Sequence, residues 1–94
     1  MVSITVRFYS LWRLYIGLDR VVLEADDVDD ALSQLQERFG TQLWEQLKRN
    51  NIRLDGNLRE SSIVLLNGIS LRNLKQTTVK NGDVLHVFPP VAGG

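Results

Sequence analysis

The sequence predicts an α+β fold, a mixed sheet of four to five strands with one main helix packed on one face, and three observations predict it. Residues 2–9, VSITVRFY, alternate apolar and polar side chains, the period of a half-buried strand. Between Asp26 and Gly40 the apolar period changes to three and four, the spacing of a helix with one buried stripe. Beyond residue 61 the chain returns to short β-branched runs punctuated by Asn-Gly pairs.

In the first run Val2, Ile4, Val6 and Phe8 point one way, and Ser3, Thr5, Arg7 and Tyr9 the other. SLWRLYIGLD follows and reads as a turn region containing Gly17; RVVLEA, β-branched and bounded by acids, is the returning strand of a hairpin. Val28, Ala31, Leu32, Leu35 and Phe39 form the helical stripe. Asp26 or Asp27 can accept hydrogen bonds from the free amides of the first turn, and Gly40 can take the left-handed conformation that closes the helix. Leu43, Trp44 and Leu47 predict a second, short helix behind a Thr41 cap. Residues 50–62 read as a loop with a short extended piece at 52–54, and SIVLLNGISL as strand, Asn67-Gly68 turn and strand. Asn81-Gly82 and Asp83 introduce a last strand, VLHVF, which Pro89 and Pro90 must stop because neither can donate to a ladder. A helix that carries the chain back, so that the first and last strands lie side by side, makes this arrangement a β-grasp. The prediction is one domain over residues 1–94, with 89–94 as a flexible extended tail.

Composition narrows the chemistry. The chain has 94 residues and carries 11 basic against 11 acidic side chains, so it lacks the cationic excess that drives binding to nucleic acid or anionic lipid. With no cysteine and a single histidine, His86, it has no thiolate nucleophile, no disulfide and no obvious metal ligand set. Asp26, Asp27, Asp29 and Asp30 are explained by helix capping without a cation. No apolar run approaches the roughly 20 residues that span a bilayer. The expectation is a cytoplasmic protein with no nucleic acid or membrane partner and no catalytic side chain. Trp12 and Trp44 are expected to close the ends of the core.

What remains is HVFPPVAGG, residues 86–94. Pro89 and Pro90 favour an extended segment, and Gly93 and Gly94 carry no side chains, so residues 89–94 could thread a narrow channel about 20 Å deep. A carboxylate is a poor acyl donor until conversion to an acyl-adenylate with ATP supplies a leaving group. Sulfur attack would then give a thiocarboxylate, and amine attack an amide.

NGDVLHVFPPVAGG, preceded by LLNGISL and opened by ITVRFYSLWRLYIG, resembles the MoaD/ThiS family of ubiquitin-like sulfur carriers, and within it the small subunits of molybdopterin synthase. The resemblance rests on Gly82-Asp83, on Phe88, Pro89, Pro90 and Val91, and on Gly93-Gly94, with support from Asn67-Gly68, Arg13 and Gly17. It implies that Gly94 is adenylated by a MoeB-type E1-like enzyme using ATP and is then converted to a thiocarboxylate by a cysteine desulfurase or rhodanese-type sulfur donor. It implies further that Pro89, Pro90, Val91, Ala92 and Gly93 insert into a MoaE-type large subunit within a heterotetramer. There the sulfur would pass to cyclic pyranopterin monophosphate. On this reading the chain is a sulfur-donating subunit without a cofactor of its own, rather than an enzyme by itself. Residues 41–62 form a longer connection than the smallest members have, and longer chains of this kind also serve as protein modifiers. A carrier for thiazole synthesis and a plain interaction domain with an inert tail are the other readings.

If Val6 and Phe8 face the helix, Arg7 and Tyr9 face outward, and so do Val84, His86 and Phe88 of the last strand. Adjacent first and last strands would therefore gather Arg7, Tyr9, His86 and Phe88 into one partner interface, aromatic anchors beside an arginine. The resemblance implies the same for the aromatic residue after the first strand and the one before the proline pair, Tyr9 and Phe88. Lys75 and Lys80, taken to lie near the tail, could steer it toward acidic surfaces.

Overall fold

The computed structural model describes residues 1–54 and 56–90. Five strands, β1 (Val2–Phe8), β2 (Arg20–Ala25), β3 (Ile63–Leu66), β4 (Ile69–Ser70) and β5 (Val84–Phe88), form one mixed sheet in the order β2-β1-β5-β3-β4. Helices α1 (Ser10–Ile16) and α2 (Val28–Arg49) complete it, together with a single 3₁₀ turn at Leu71–Asn73. β1 and β5 run parallel at the centre, and the neighbouring pairs are antiparallel. This is the predicted β-grasp, with the first and last strands side by side.

Side-chain phase follows the sequence pattern. Ile4, Val6 and Phe8 of β1 and Leu85 and Val87 of β5 are buried beneath Val28, Ala31, Leu32, Leu35 and Phe39 of α2. Phe8 and Phe39 meet edge to face at 5.8 Å, the arrangement favoured by ring quadrupoles. The Asp27 carboxylate accepts from the Asp30 amide at 2.7 Å and so caps α2. The Asn67-Gly68 hairpin turn forms as predicted, with φ of +50° and +88°.

Three expectations are corrected. SLWRLYI is not a bare turn but the helix α1, which buries Trp12, Tyr15 and Ile16 and ends where Gly17 adopts φ +82°. Trp12 Nε1–H donates to Ser62 Oγ at 2.9 Å, and the Gln42 amide donates to the Tyr15 and Ile16 carbonyls, satisfying the end of α1 from α2.

Secondly, the helix does not close at Gly40 but runs unbroken to Arg49, absorbing the expected second helix. Burying Leu43 and Leu47 contributes about 1.5–3 kcal/mol each, which outweighs the roughly 1 kcal/mol that an interior glycine costs. The left-handed residue that ends α2 is Asn51, φ +57°, with Ile52 N–H donating to Leu47 O at 2.9 Å. Gly40 serves packing instead. A Cβ there would strike the Gln36 amide, whose oxygen accepts from Leu58 N–H at 2.7 Å and holds the following loop.

Thirdly, Trp44 does not close the core: it is 50% exposed, whereas Trp12 is 1% exposed. The stripe through Phe39, Leu43 and Leu47 leaves position 44 on the flank of the helix. Residues 52–54 belong to no helix or strand, in keeping with the expected loop, and Ile52 and Leu54 pack against the core.

Candidate functional site

β5 connects two ends of the molecule with different duties. At its start the two Asn-Gly turns clamp each other. Asp83 accepts from the Asn67 side chain at 2.9 Å and from Lys80 N–H at 2.8 Å, while Asn67 Oδ1 accepts from Val84 N–H at 2.9 Å. Gly82, φ +90°, turns the chain so that its N–H donates to Ser3 O, and Ser3 N–H donates to Asn81 Oδ1 at 3.0 Å. These bonds fix β5 against β1 and β3 together. Sequence reasoning singled out Gly82-Asp83 and Asn67-Gly68 as motif but missed that Asn67, Asn81 and Asp83 set strand register. The signal was a polar side chain at each turn with several bonding groups to satisfy.

That register decides what stands at the other end. Arg7 lies opposite His86 and Phe8 opposite Val87, so Tyr9 comes level with Phe88, and Tyr9 N–H donates to Val87 O at 3.2 Å. The Tyr9 and Phe88 rings stack with centroids 4.3 Å apart and planes 10° from parallel. The Tyr9 hydroxyl is 2.7 Å from His86 Nδ1, and the Arg7 guanidinium lies 5.9 Å from the Tyr9 centroid, within cation–π range. Which of the two atoms donates is set by the tautomer of the imidazole, since Nδ1 accepts when bare and donates when it carries the proton.

All four residues predicted for a partner interface are thus brought into one ledge on the face that α2 leaves uncovered. Ile63, paired with Phe88 and 41% exposed, extends the ledge onto β3, a member that sequence reasoning did not name.

Pro89 and Pro90 follow immediately, half-buried and outside the ladder, as predicted. The remaining residues of the expected tail, Val91, Ala92, Gly93 and Gly94, lie outside the described residues. Lys80 does not lie near the tail: it precedes the far end of β5, a strand length of roughly 17 Å from Phe88. The reason is the turn chemistry that places Lys80 beside Asp83.

Chemically the ledge offers two stacked aromatic rings bordered by a guanidinium and an imidazole. Among the described residues no group of three or more His, Cys, Asp or Glu could hold a metal ion, and no helix is long and apolar enough to cross a membrane. Asp27 caps α2 and the Asp30 side chain accepts from Asp26 N–H at 3.1 Å, whereas Asp29 pairs with Arg59 and Asp26 with the amino-terminal ammonium.

Comparison with known proteins supplies the context. The ThiS family model matches residues 13–94. Small archaeal modifier protein 3 of Haloferax volcanii is 29% identical over 97 residues, spanning 98% of this chain and 99% of that protein. The solution structure of small archaeal modifier protein 1 from Methanosarcina acetivorans superposes with a TM-score of 0.75 at 25% identity, covering 100% of this chain and 98% of the other. In the complex of subunits 1 and 2 of molybdopterin-converting factor from Helicobacter pylori, the similar chain has a TM-score of 0.62 and 28% identity, with 99% of this chain and 100% of that one covered.

Proposed function

We propose, since the chain belongs to the ThiS family and is a ubiquitin-like sulfur carrier of the kind that includes the small archaeal modifiers, that it is the sulfur-donating small subunit of a molybdopterin synthase. The observation that carries this reading is the stacked Tyr9–Phe88 ledge at the root of a Pro-Pro, Gly-Gly tail. A partner can grip the ledge while the slender tail reaches its interior, which separates recognition from chemistry. The Helicobacter pylori relative, solved with its subunit 2, favours a large-subunit partner of the same kind.

The chemistry falls on the Gly94 carboxylate. One of its oxygens attacks the α-phosphorus of ATP within an E1-like enzyme, forming the acyl-adenylate and releasing pyrophosphate. The terminal sulfur of a persulfide on a separate donor then displaces AMP, and a thiol reductant cleaves the resulting acyl disulfide to leave the thiocarboxylate. In the large subunit the sulfur passes to the pyranopterin and Gly94 returns as a carboxylate. The chain holds no cofactor of its own in this scheme, and ATP belongs to the activating enzyme.

A second reading is favoured by the 29% identity to a small archaeal modifier protein: an amine instead of sulfur attacks the adenylate, and Gly94 becomes linked to a lysine of another protein. Both readings are tested by co-expression with a MoeB-type enzyme and a sulfur donor, followed by intact mass and peptide mapping. One oxygen-to-sulfur exchange at Gly94, with sulfur then recovered in molybdopterin, is the expected result. Isopeptide remnants of Gly94 on lysines without molybdopterin formation would favour the modifier. An unmodified Gly94 with a verified active partner would remove both.

A further inference from the structure

A strand at the border of a sheet leaves alternate main-chain N–H and C=O groups without a partner. β2 is such a strand, and the phase of its pairing is settled. Phe8 N–H donates to Asp19 O at 2.9 Å, and in the same antiparallel register Val6 faces Val21, Ile4 faces Leu23 and Val2 faces Ala25. Those residues exchange bonds with β1, so the main-chain groups of Arg20, Val22 and Glu24 point away from the sheet. The Glu24 carbonyl agrees with this phase, because it accepts from the Gln34 side chain at 2.7 Å. Among the described residues the corresponding groups of Arg20 and Val22 have no such partner.

The side chains of these three residues share the sheet face opposite α2, where Val22 is 66% exposed. Neither the Arg20 guanidinium nor the Glu24 carboxylate has a charged partner among the described residues.

We propose that β2 is a self-association edge, on which a second copy of this chain adds its own β2 antiparallel about a two-fold axis at Val22. The sequence of the strand is self-complementary in that register. Val22 meets the partner's Val22 and exchanges two main-chain bonds with it, while Arg20 falls opposite the partner's Glu24 and Glu24 opposite the partner's Arg20. Directly opposite side chains of unlike charge stabilise a ladder, and like charges oppose it. Moving the axis to Arg20 or to Glu24 would set like charges against each other and shorten the overlap. The edge therefore selects one register by charge. The Glu24 oxygen has a second lone pair, so pairing does not require Gln34 to withdraw. Since β2 occupies the border of the order β2-β1-β5-β3-β4, the two-fold joins two sheets through the edge remote from Ile63, leaving both Tyr9–Phe88 ledges open.

Sedimentation equilibrium of the full chain in low-salt buffer, from about 10 μM to about 1 mM, tests this, the range suiting an edge contact of small area. The expected mass rises toward that of a dimer, and exchange of the Val22 amide slows over the same range. Arg20→Glu should weaken association by about tenfold or more, and Arg20→Glu combined with Glu24→Arg should restore it. Val22→Pro, which removes an amide that faces outward, should give a folded monomer by circular dichroism. A monomeric mass throughout with concentration-independent Val22 exchange would overturn the proposal. So would a single charge reversal that dimerises as well as the parent, or a double reversal that fails to restore it.

Discussion

Tyr9 and Phe88 show how two residues of ordinary type become a surface feature through their spacing from a parallel strand pair. Their stacked rings present one flat, rigid area with little rotamer freedom left to lose on docking, and Arg7 and His86 border it with hydrogen-bonding groups. Phe88→Ala should therefore weaken the partner complex by about 2 kcal/mol or more, roughly thirtyfold in Kd by titration calorimetry, with a smaller loss in folding stability. Tyr9→Phe is the finer probe. It keeps the stack and deletes the hydroxyl bond to His86, so chemical denaturation should show a loss of about 0.5–1.5 kcal/mol. Both residues were legible as outward-facing from the period-two alternation alone. Their clustering followed from placing the first and last strands side by side, whereas the ring stack and the bond between Tyr9 and His86, 77 positions apart, depend on the β1–β5 register.

At the scale of elements, α2 is the instructive case. Capping preference argued for an end at Gly40, yet the buried stripe continues past it and the helix follows the stripe. Glycine is retained where the Gln36 side chain crosses the helix to hold Leu58 N–H. Gly40→Ala should gain about 1 kcal/mol of helix propensity and lose most of it by displacing Gln36, leaving thermal stability nearly unchanged. Amide exchange at Leu58 should accelerate at the same time. A full gain in stability with Leu58 still protected would show that Gln36 bends away at no cost. The same competition explains α1: Trp12, Tyr15 and Ile16 have helical spacing, but a seven-residue helix is stable only once Trp12 is buried and the Gln42 amide donates to its last carbonyls.

For the whole molecule, the sheet, α2 and the ledge are complete without the last residues, since Pro89 and Pro90 already stand outside the ladder. Removing Gly93 and Gly94 should leave the thermal midpoint within about 1–2 °C of the parent and abolish sulfur loading. Intact mass after incubation with the activating enzyme, ATP and sulfur donor reads the second effect, and calorimetry reads the first. A large fall in the midpoint would mean that the glycines support the fold.

Local chemistry was sufficient for much of this protein. Side-chain alternation set which faces of β1 and β5 are buried, Asp27, one of the two expected caps, closed the start of α2, Asn67-Gly68 made its hairpin, and Pro89-Pro90 ended the last strand. Each of those depends on neighbours within a few residues. Tertiary structure alone decided that Gly40 would not interrupt a helix, that Trp44, unlike Trp12, would stay out of the core, and that Asp83 would align two turns in the register that stacks Tyr9 on Phe88. The physical reason is the same in every instance. These outcomes depend on apolar burial and hydrogen bonds between segments far apart in the chain, and such interactions exceed the roughly 1 kcal/mol preferences that a local reading weighs.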